Sequence, residues 1–270
     1  MTYIIPSYTV QPGSVYQPKT SGPAYILDQI GGVIGCWSTR QLMAAGSGDI
    51  IRGRDSTTNE ADYTSASYPS GIVTLANGGD AFCPAVYDQS GNVNHATQTT
   101  AANQPKLVDA GSLIVDASGR PSMDFSGITG YLNLTSLLAL SSDFFINCYL
   151  KINTSQALHF LDYTSGDARL FFQSSSQLIY RVNGTNYIFN LDSSLVIGNW
   201  YNIALNRVSN TVTIYVNSIP QAVTHSISDT ININRLGKNA ASFIGEIQSV
   251  VILSKSLTQS EITQVHNAMV

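Results

Sequence analysis

A chain of 270 residues with 43% hydrophobic side chains can fill a continuous core, and all-β sandwiches reach this size as one unit. Only 11% of the residues are charged and the formal net charge is −4, with no basic cluster, which argues against a nucleic-acid partner. No apolar run is long enough to cross a bilayer as a helix, and the opening MTYIIPSYTVQPG lacks a signal-peptide pattern, so no membrane partner and synthesis in the cytoplasm are expected.

Residues 1–22 read differently from the rest. Pro6, Pro12 and Pro18 alternate with Tyr3, Tyr8 and Tyr16. Proline at this density blocks helix and central strand, and the tyrosines supply contact area that a solvated tail does not need. The expectation is an extended N-terminal arm over 1–22, docked through Tyr3, Tyr8, Pro12, Tyr16 and Pro18, followed by one domain over 23–270. Residues 24–45 carry apolar side chains at loosely helical spacing (Tyr25, Leu27, Ile30, Trp37, Leu42, Met43), which predicts a flanking helix. Cys36, Cys83 and Cys148 are far apart with no CxxC spacing, so no zinc site is expected; three reduced, half-buried thiols are the leading expectation, with one disulfide plus a free thiol as the alternative.

From residue 144 onward short β-type runs follow one another: 144–152, 157–162, 169–173, 177–182, 186–190, 200–207, 211–216 and 244–253. Alternating positions such as Val212, Ile214 and Val216 fit half-buried antiparallel strands, and turn residues such as Asn183-Gly184 separate them. Many short strands with no βαβ rhythm indicate a sandwich or barrel. Thr258 and Glu261 have capping-box spacing, which predicts a short closing helix carrying Ile262, Val265 and Met269 on one face.

Residues 86–98 (VYDQSGNVNHATQ) resemble a segment of the catalytic domain of B-type α-L-arabinofuranosidases that recurs in many phage virion proteins. Cys36–Leu42, 51–56, 104–107 and 119–127 resemble the flanking pieces in the same order, and Val93 stands where the family places a second glycine. From Trp200 onward, Trp200–Leu205, 213–217, 243–247 and 253–261 resemble the last third of a concanavalin A-like or laminin G-like domain. The resemblance implies an all-β, concanavalin A-like (laminin G-like) antiparallel β-sandwich jelly roll with an extended N-terminal arm and short flanking helices. Within 86–98, Asp88, Ser90 and Asn92 can bind backbone amides and Gly91 can take positive φ, so the segment reads as a turn scaffold. His95 is read as a histidine fixed by a neighbouring backbone group rather than as a catalytic base.

The resemblance also locates a glycosidase site. A retaining glycosidase needs two carboxyls facing each other across the glycosidic bond. The family's nucleophilic glutamate follows a turn that residues 160–166 resemble, and Arg169 falls near its place. The acid/base aspartate belongs in a loop where this chain has Lys238 and Asn239. Asp162 and Asp167 remain nearby, and Glu246 reads as structural. The chain is therefore expected not to be an enzyme. The leading expectation is a phage virion structural protein, in a head decoration, tail or fibre, anchored to other capsid or tail proteins through residues 1–22 and oligomeric in the particle. Its sandwich would hold surface polysaccharide weakly through Asp162, Tyr163, Tyr180, Asn183, Asn186 and Tyr187. The alternatives are a carbohydrate-binding module with no virion role and a divergent arabinofuranosidase-like hydrolase. No cofactor is expected: related sandwiches carry calcium at loop edges, but no dense oxygen-ligand cluster is present.

Overall fold

The computed structural model describes residues 25–44, 48–126, 130–154, 158–165, 168–237 and 243–270. The expected arm, with Tyr3, Tyr8, Pro12, Tyr16 and Pro18, lies outside them, as do Asp167, Lys238 and Asn239. The chain begins with α1 (Ile26–Ile30), β1 (Val33–Ser38), β2 (Asp49–Asp55), β3 (Glu60–Thr64), α2 (Tyr68–Ala76), β4 (Ala81–Val86), β5 (Ala96–Thr97), β6 (Lys106–Asp109), β7 (Ser112–Leu113) and β8 (Met123–Asp124). It continues through β9 (Tyr131–Leu140), β10 (Phe144–Ile152), β11 (Leu158–Asp162), β12 (Arg169–Ser174), β13 (Gln177–Val182) and β14 (Thr185–Asn190). The last elements are β15 (Trp200–Val208), β16 (Thr211–Val216), β17 (Ile219–Ser226), β18 (Ile231–Gly237), β19 (Gly245–Leu253) and α3 (Gln259–Met269).

All pairings are antiparallel and fall into two layers. The back layer runs β1-β19-β10-β15-β16-β17. The front layer runs β3-β2-β4-β5-β9-β18-β11-β12-β13-β14. The short strands β6 and β8 bridge the layers, β6 pairing with β4 and β8 with β19. The main core lies between them. Phe144, Ile146, Cys148, Leu150 and Ile152 of β10 meet inward residues of the front layer such as Leu132, Leu161, Leu170 and Leu236. This is the antiparallel jelly-roll sandwich that the resemblance implies; the alternating pattern alone indicated a sandwich or barrel.

The two outer faces are treated differently. On the back layer, Phe145, Tyr149, Ala204 and Val251 pack against Leu27 of α1 and Ile262, Val265 and Met269 of α3, forming a second core. The capping box holds α3 in place: Thr258 Oγ1 accepts the Glu261 N–H, and Glu261 Oε2 accepts the Thr258 N–H at 2.8 Å. The front layer's central strands, β18 and β11 to β14, pair with no helix over their outer face among the described residues.

One expectation fails here. The helix over 24–45 is confined to Ile26–Ile30, and Val33–Ser38 is a strand. The cause is two-sided burial: Trp37 enters the main core while Cys36 enters the second, so both parities are apolar. Such a run has no period of two and resembles a buried helix. The helix α2 has no counterpart among the elements expected from the amino-acid pattern. Its Ile72 lies against β2 so closely that a Cβ at Gly53 would stand 2.1 Å from Ile72 Cδ1.

Candidate functional site

The segment 86–98 links β4 to β5 and is wound around one carboxylate. Asp88 Oδ1 accepts the Cys36 and Ser90 N–H groups, each at 2.9 Å. Its Oδ2 accepts the Ser90 hydroxyl at 2.8 Å and the Asn94 N–H at 3.1 Å. Trp37 Nε1 donates to the Asn94 carbonyl at 2.7 Å, and the Asn94 side chain exchanges two hydrogen bonds with the Ser136 backbone. Gln89 Oε1 accepts from the Leu42 N–H. His95 Nδ1 accepts the Asp88 N–H at 3.1 Å, and its ring meets Tyr87 edge-on. Nδ1 is thereby occupied as an acceptor, and the segment ties β1 to β9 rather than presenting reactive groups.

Chemistry gathers instead on the outer face of the front layer. Directly opposed residues of antiparallel strands share a face. The registers therefore align Asn133, Arg235, Asp162, Arg169, Arg181 and Asn186 in one row across β9, β18, β11, β12, β13 and β14. The row continues through Thr97 and Ala85 to Arg52 and Asp62. A depression at that end is lined by Arg52, Ala85, Thr97, Gln98 and Gln104. The parallel inward row reads Leu132, Leu236, Leu161, Leu170, Tyr180 and Tyr187.

Asp162 is the buried centre of the outer row, only 2% exposed. Its Oδ1 lies 3.6 Å from Arg169 Nε and its Oδ2 3.9 Å from Arg235 Nη1. Arg235 Nε donates to Asn133 Oδ1 at 3.0 Å, its guanidinium resting 4.6 Å from the Tyr131 ring centroid. Arg181 Nη1 donates to Asn186 Oδ1 at 3.2 Å. Beside this row, the His159 ring stacks on Phe171 at 4.3 Å between centroids.

The six residues expected to hold a glycan are thus divided. Asp162 and Asn186 lie in the outer row. Tyr180 is fully buried on the inward parity, and Tyr187 is half-buried beside it with rings 6.4 Å apart, so neither offers a stacking face on the outer row. Tyr163 packs against the main core, its N–H donating to the Ala168 carbonyl. Asn183 occupies the β13–β14 turn at φ +47, its amide donating to Asp229. The arginines at 181 and 235 were the residues missed. Strand parity was their available signal, because Arg181 alternates with Tyr180 and Val182. Glu246, read from the sequence as structural, accepts the Ser122 hydroxyl and pairs with Lys151. Among the described residues no group of three or more His, Cys, Asp or Glu side chains could hold a metal ion, and no helix is long and apolar enough to cross a membrane.

The family model described as the concanavalin A-like lectin/glucanases superfamily matches residues 125–263. The chain belongs to that superfamily. Its match begins at the end of β8 and takes in every strand of the arginine row from β9 to β14, together with β18. Likeness of fold extends to solved glycoside hydrolases. One is a GH54 α-L-arabinofuranosidase soaked with a cyclic sulfate inhibitor, with TM-score 0.68, 12% identity, and 88% of this chain and 62% of that chain covered. Another is an arabinofuranosidase complexed with arabinofuranosyl-α-1,2-xylobiose, with TM-score 0.67, 14% identity, and 92% and 64% covered. A Trypanosoma rangeli sialidase in complex with 2,3-difluoro-KDN has TM-score 0.51, 13% identity, and 95% and 35% covered. The chain spans less than two thirds of the length of these proteins, and at such identities the likeness is one of fold. No curated protein sequence matches the chain.

Proposed function

We propose that this chain is a non-hydrolytic, lectin-like module that holds a saccharide on the outer face of its front layer. The observation that carries this reading is the setting of Asp162. It is the one carboxylate between Asn133 and Asn186 in the row, and two guanidiniums flank it. Retaining hydrolysis requires a second carboxyl about 5–5.5 Å away, one of the pair being protonated to serve the leaving group. Arg169 falls near the place where the resemblance puts the nucleophile, and the sequence has Lys238 and Asn239 where the acid/base aspartate belongs. The test is incubation of the purified chain with a chromogenic α-L-arabinofuranoside beside a glycan array. Array binding without chromophore release is expected; release that disappears in Asp162→Asn overturns the reading.

The resemblance of residues 86–98 to phage virion proteins favours a particular setting, in which the module is displayed on a particle and the proline- and tyrosine-rich residues 1–22 dock it to capsid or tail subunits. Deleting residues 1–22 is expected to abolish incorporation into particles, measured on purified virions. Undiminished incorporation overturns that setting.

A further inference from the structure

The outer row has an internal conflict. Arg169 and Arg181 stand directly opposite each other on neighbouring strands, and like charges in such a pair repel. Both side chains are partly buried, and the Nε atoms of both are shielded from solvent with no hydrogen-bond partner among the described residues. A guanidinium carries five N–H donors. Arg169 donates none of them to a described residue within hydrogen-bonding distance, and Arg181 donates one, to Asn186. On the other side of Arg169 the same row has resolved the same conflict: the Asp162 carboxylate stands between Arg169 and Arg235. Among the described residues the order is thus cation, anion, cation, then cation with no anion between.

We propose that the Arg169–Arg181 pair binds the carboxylate of an acidic saccharide, such as a uronic acid. This assignment rests on the reading that the face holds a glycan, and it names the glycan's class. A planar carboxylate can accept two parallel N–H bonds from one guanidinium fork while its charge screens the second guanidinium. Asn186 flanks the pair on the neighbouring strand, and the buried His159–Phe171 stack lies beside it on the same face.

Calorimetric titration of the full chain with trigalacturonate, its methyl ester, a sulfated oligosaccharide of equal charge and a neutral arabinan oligosaccharide tests this. Trigalacturonate is expected to bind, with its methyl ester weaker by about tenfold or more, the worth of one charge-assisted hydrogen bond. Arg181→Gln, which sacrifices only the bond to Asn186, and Arg169→Lys, which keeps the charge but not the fork, are each expected to weaken uronate binding about tenfold. Unchanged melting temperatures in both variants exclude misfolding as the cause. Equal binding of acid and ester, preference for the sulfated ligand, or unweakened binding in both variants overturns the carboxylate assignment. Binding of the neutral oligosaccharide alone overturns it while leaving the lectin-like reading intact, and binding of none overturns both.

Discussion

The Asp88 carboxylate accepts the backbone N–H of Cys36, 52 residues earlier in the chain, and so joins the β4–β5 connection to the strand at the edge of the back layer. The same group also takes the Asn94 N–H, fixing the carbonyl that receives the Trp37 indole. Asp88→Ala leaves the Cys36 and Asn94 donors without their acceptor in a buried place. Each such loss costs about 1–3 kcal/mol, so a total near 3 kcal/mol is expected from urea denaturation. Asp88→Asn keeps one acceptor oxygen and should lose less; a loss below about 1 kcal/mol for alanine would remove the segment's claim to be a scaffold.

Val93, in the same segment, holds φ +57 and is 63% exposed. A β-branched residue in the left-handed region is strained by about 1–2 kcal/mol, while glycine costs about 0.5–1 kcal/mol in unfolded-state entropy. Val93→Gly is therefore expected to stabilise the chain by about 0.5–1 kcal/mol, since the exposed side chain contributes little packing. This explains physically why glycine stands at that place in the proteins the segment resembles. An unchanged or lower melting temperature would contradict it.

Acid should weaken the fold through carboxylates held below their ordinary range. Hydrogen bonds from Arg52 to Asp62, from the Ala110 N–H to Asp80, and from the Thr258 N–H to Glu261 all favour the ionised form. Burial pushes Asp116 upward, but the hydrogen bonds from Arg120 and Ser118 outweigh it. The unfolded chain takes up protons at the ordinary values of 3.8 for Asp and 4.5 for Glu, before the folded chain does. These groups thus contribute stability that is fully present above pH 4.5 and is lost as pH falls through their lowered folded values. The urea midpoint should stay level from pH 7 to 5 and fall below pH 4; a midpoint indifferent to acid would show that these contacts contribute nothing.

The three cysteines are free and buried, deeper than the half-buried setting expected from the sequence. Loss of hydration pushes each thiol above its ordinary range. A disulfide-exchange dye at pH 8 should label none of them within minutes in the native chain and all three after denaturation. Rapid labelling of a native thiol would contradict the packing around Cys36, Cys83 or Cys148.

Much of the front layer was legible because its strands alternate: Arg169-Leu170 and Tyr180-Arg181-Val182 place one parity outside and the other in the core. Strands 144–152, 177–182 and 211–216 have the bounds expected for them from the sequence. The first half was less legible. Val33–Ser38 is buried on both faces, and α2 contains Gly71, which weakens its helical signature. The candidate site was half legible for a different reason. Residues 162, 169, 181 and 235 meet through registers of hairpin and crossover pairings, which no local pattern encodes. Residue type points to the tyrosines, but Tyr180 and Tyr187 have the opposite parity from Arg181 and Asn186.

Arg207 offers a last test of how the layers are joined. It is fully buried, and its guanidinium donates to the carbonyls of Leu140, Ser142 and Asp229 while resting 4.6 Å from the Phe144 ring centroid. One side chain therefore satisfies the backbone where β9 turns into β10 and where the chain enters β18. Burial depresses its proton affinity, while its N–H groups are taken up by the three carbonyls. Arg207→Met leaves those acceptors unpaired and is expected to cost about 3 kcal/mol in urea denaturation. Arg207→Lys keeps the charge, but its single ammonium cannot span three carbonyls, so it should recover less than half of that loss. Full recovery by lysine would mean that charge alone, rather than the planar fork, holds the two layers together at this point.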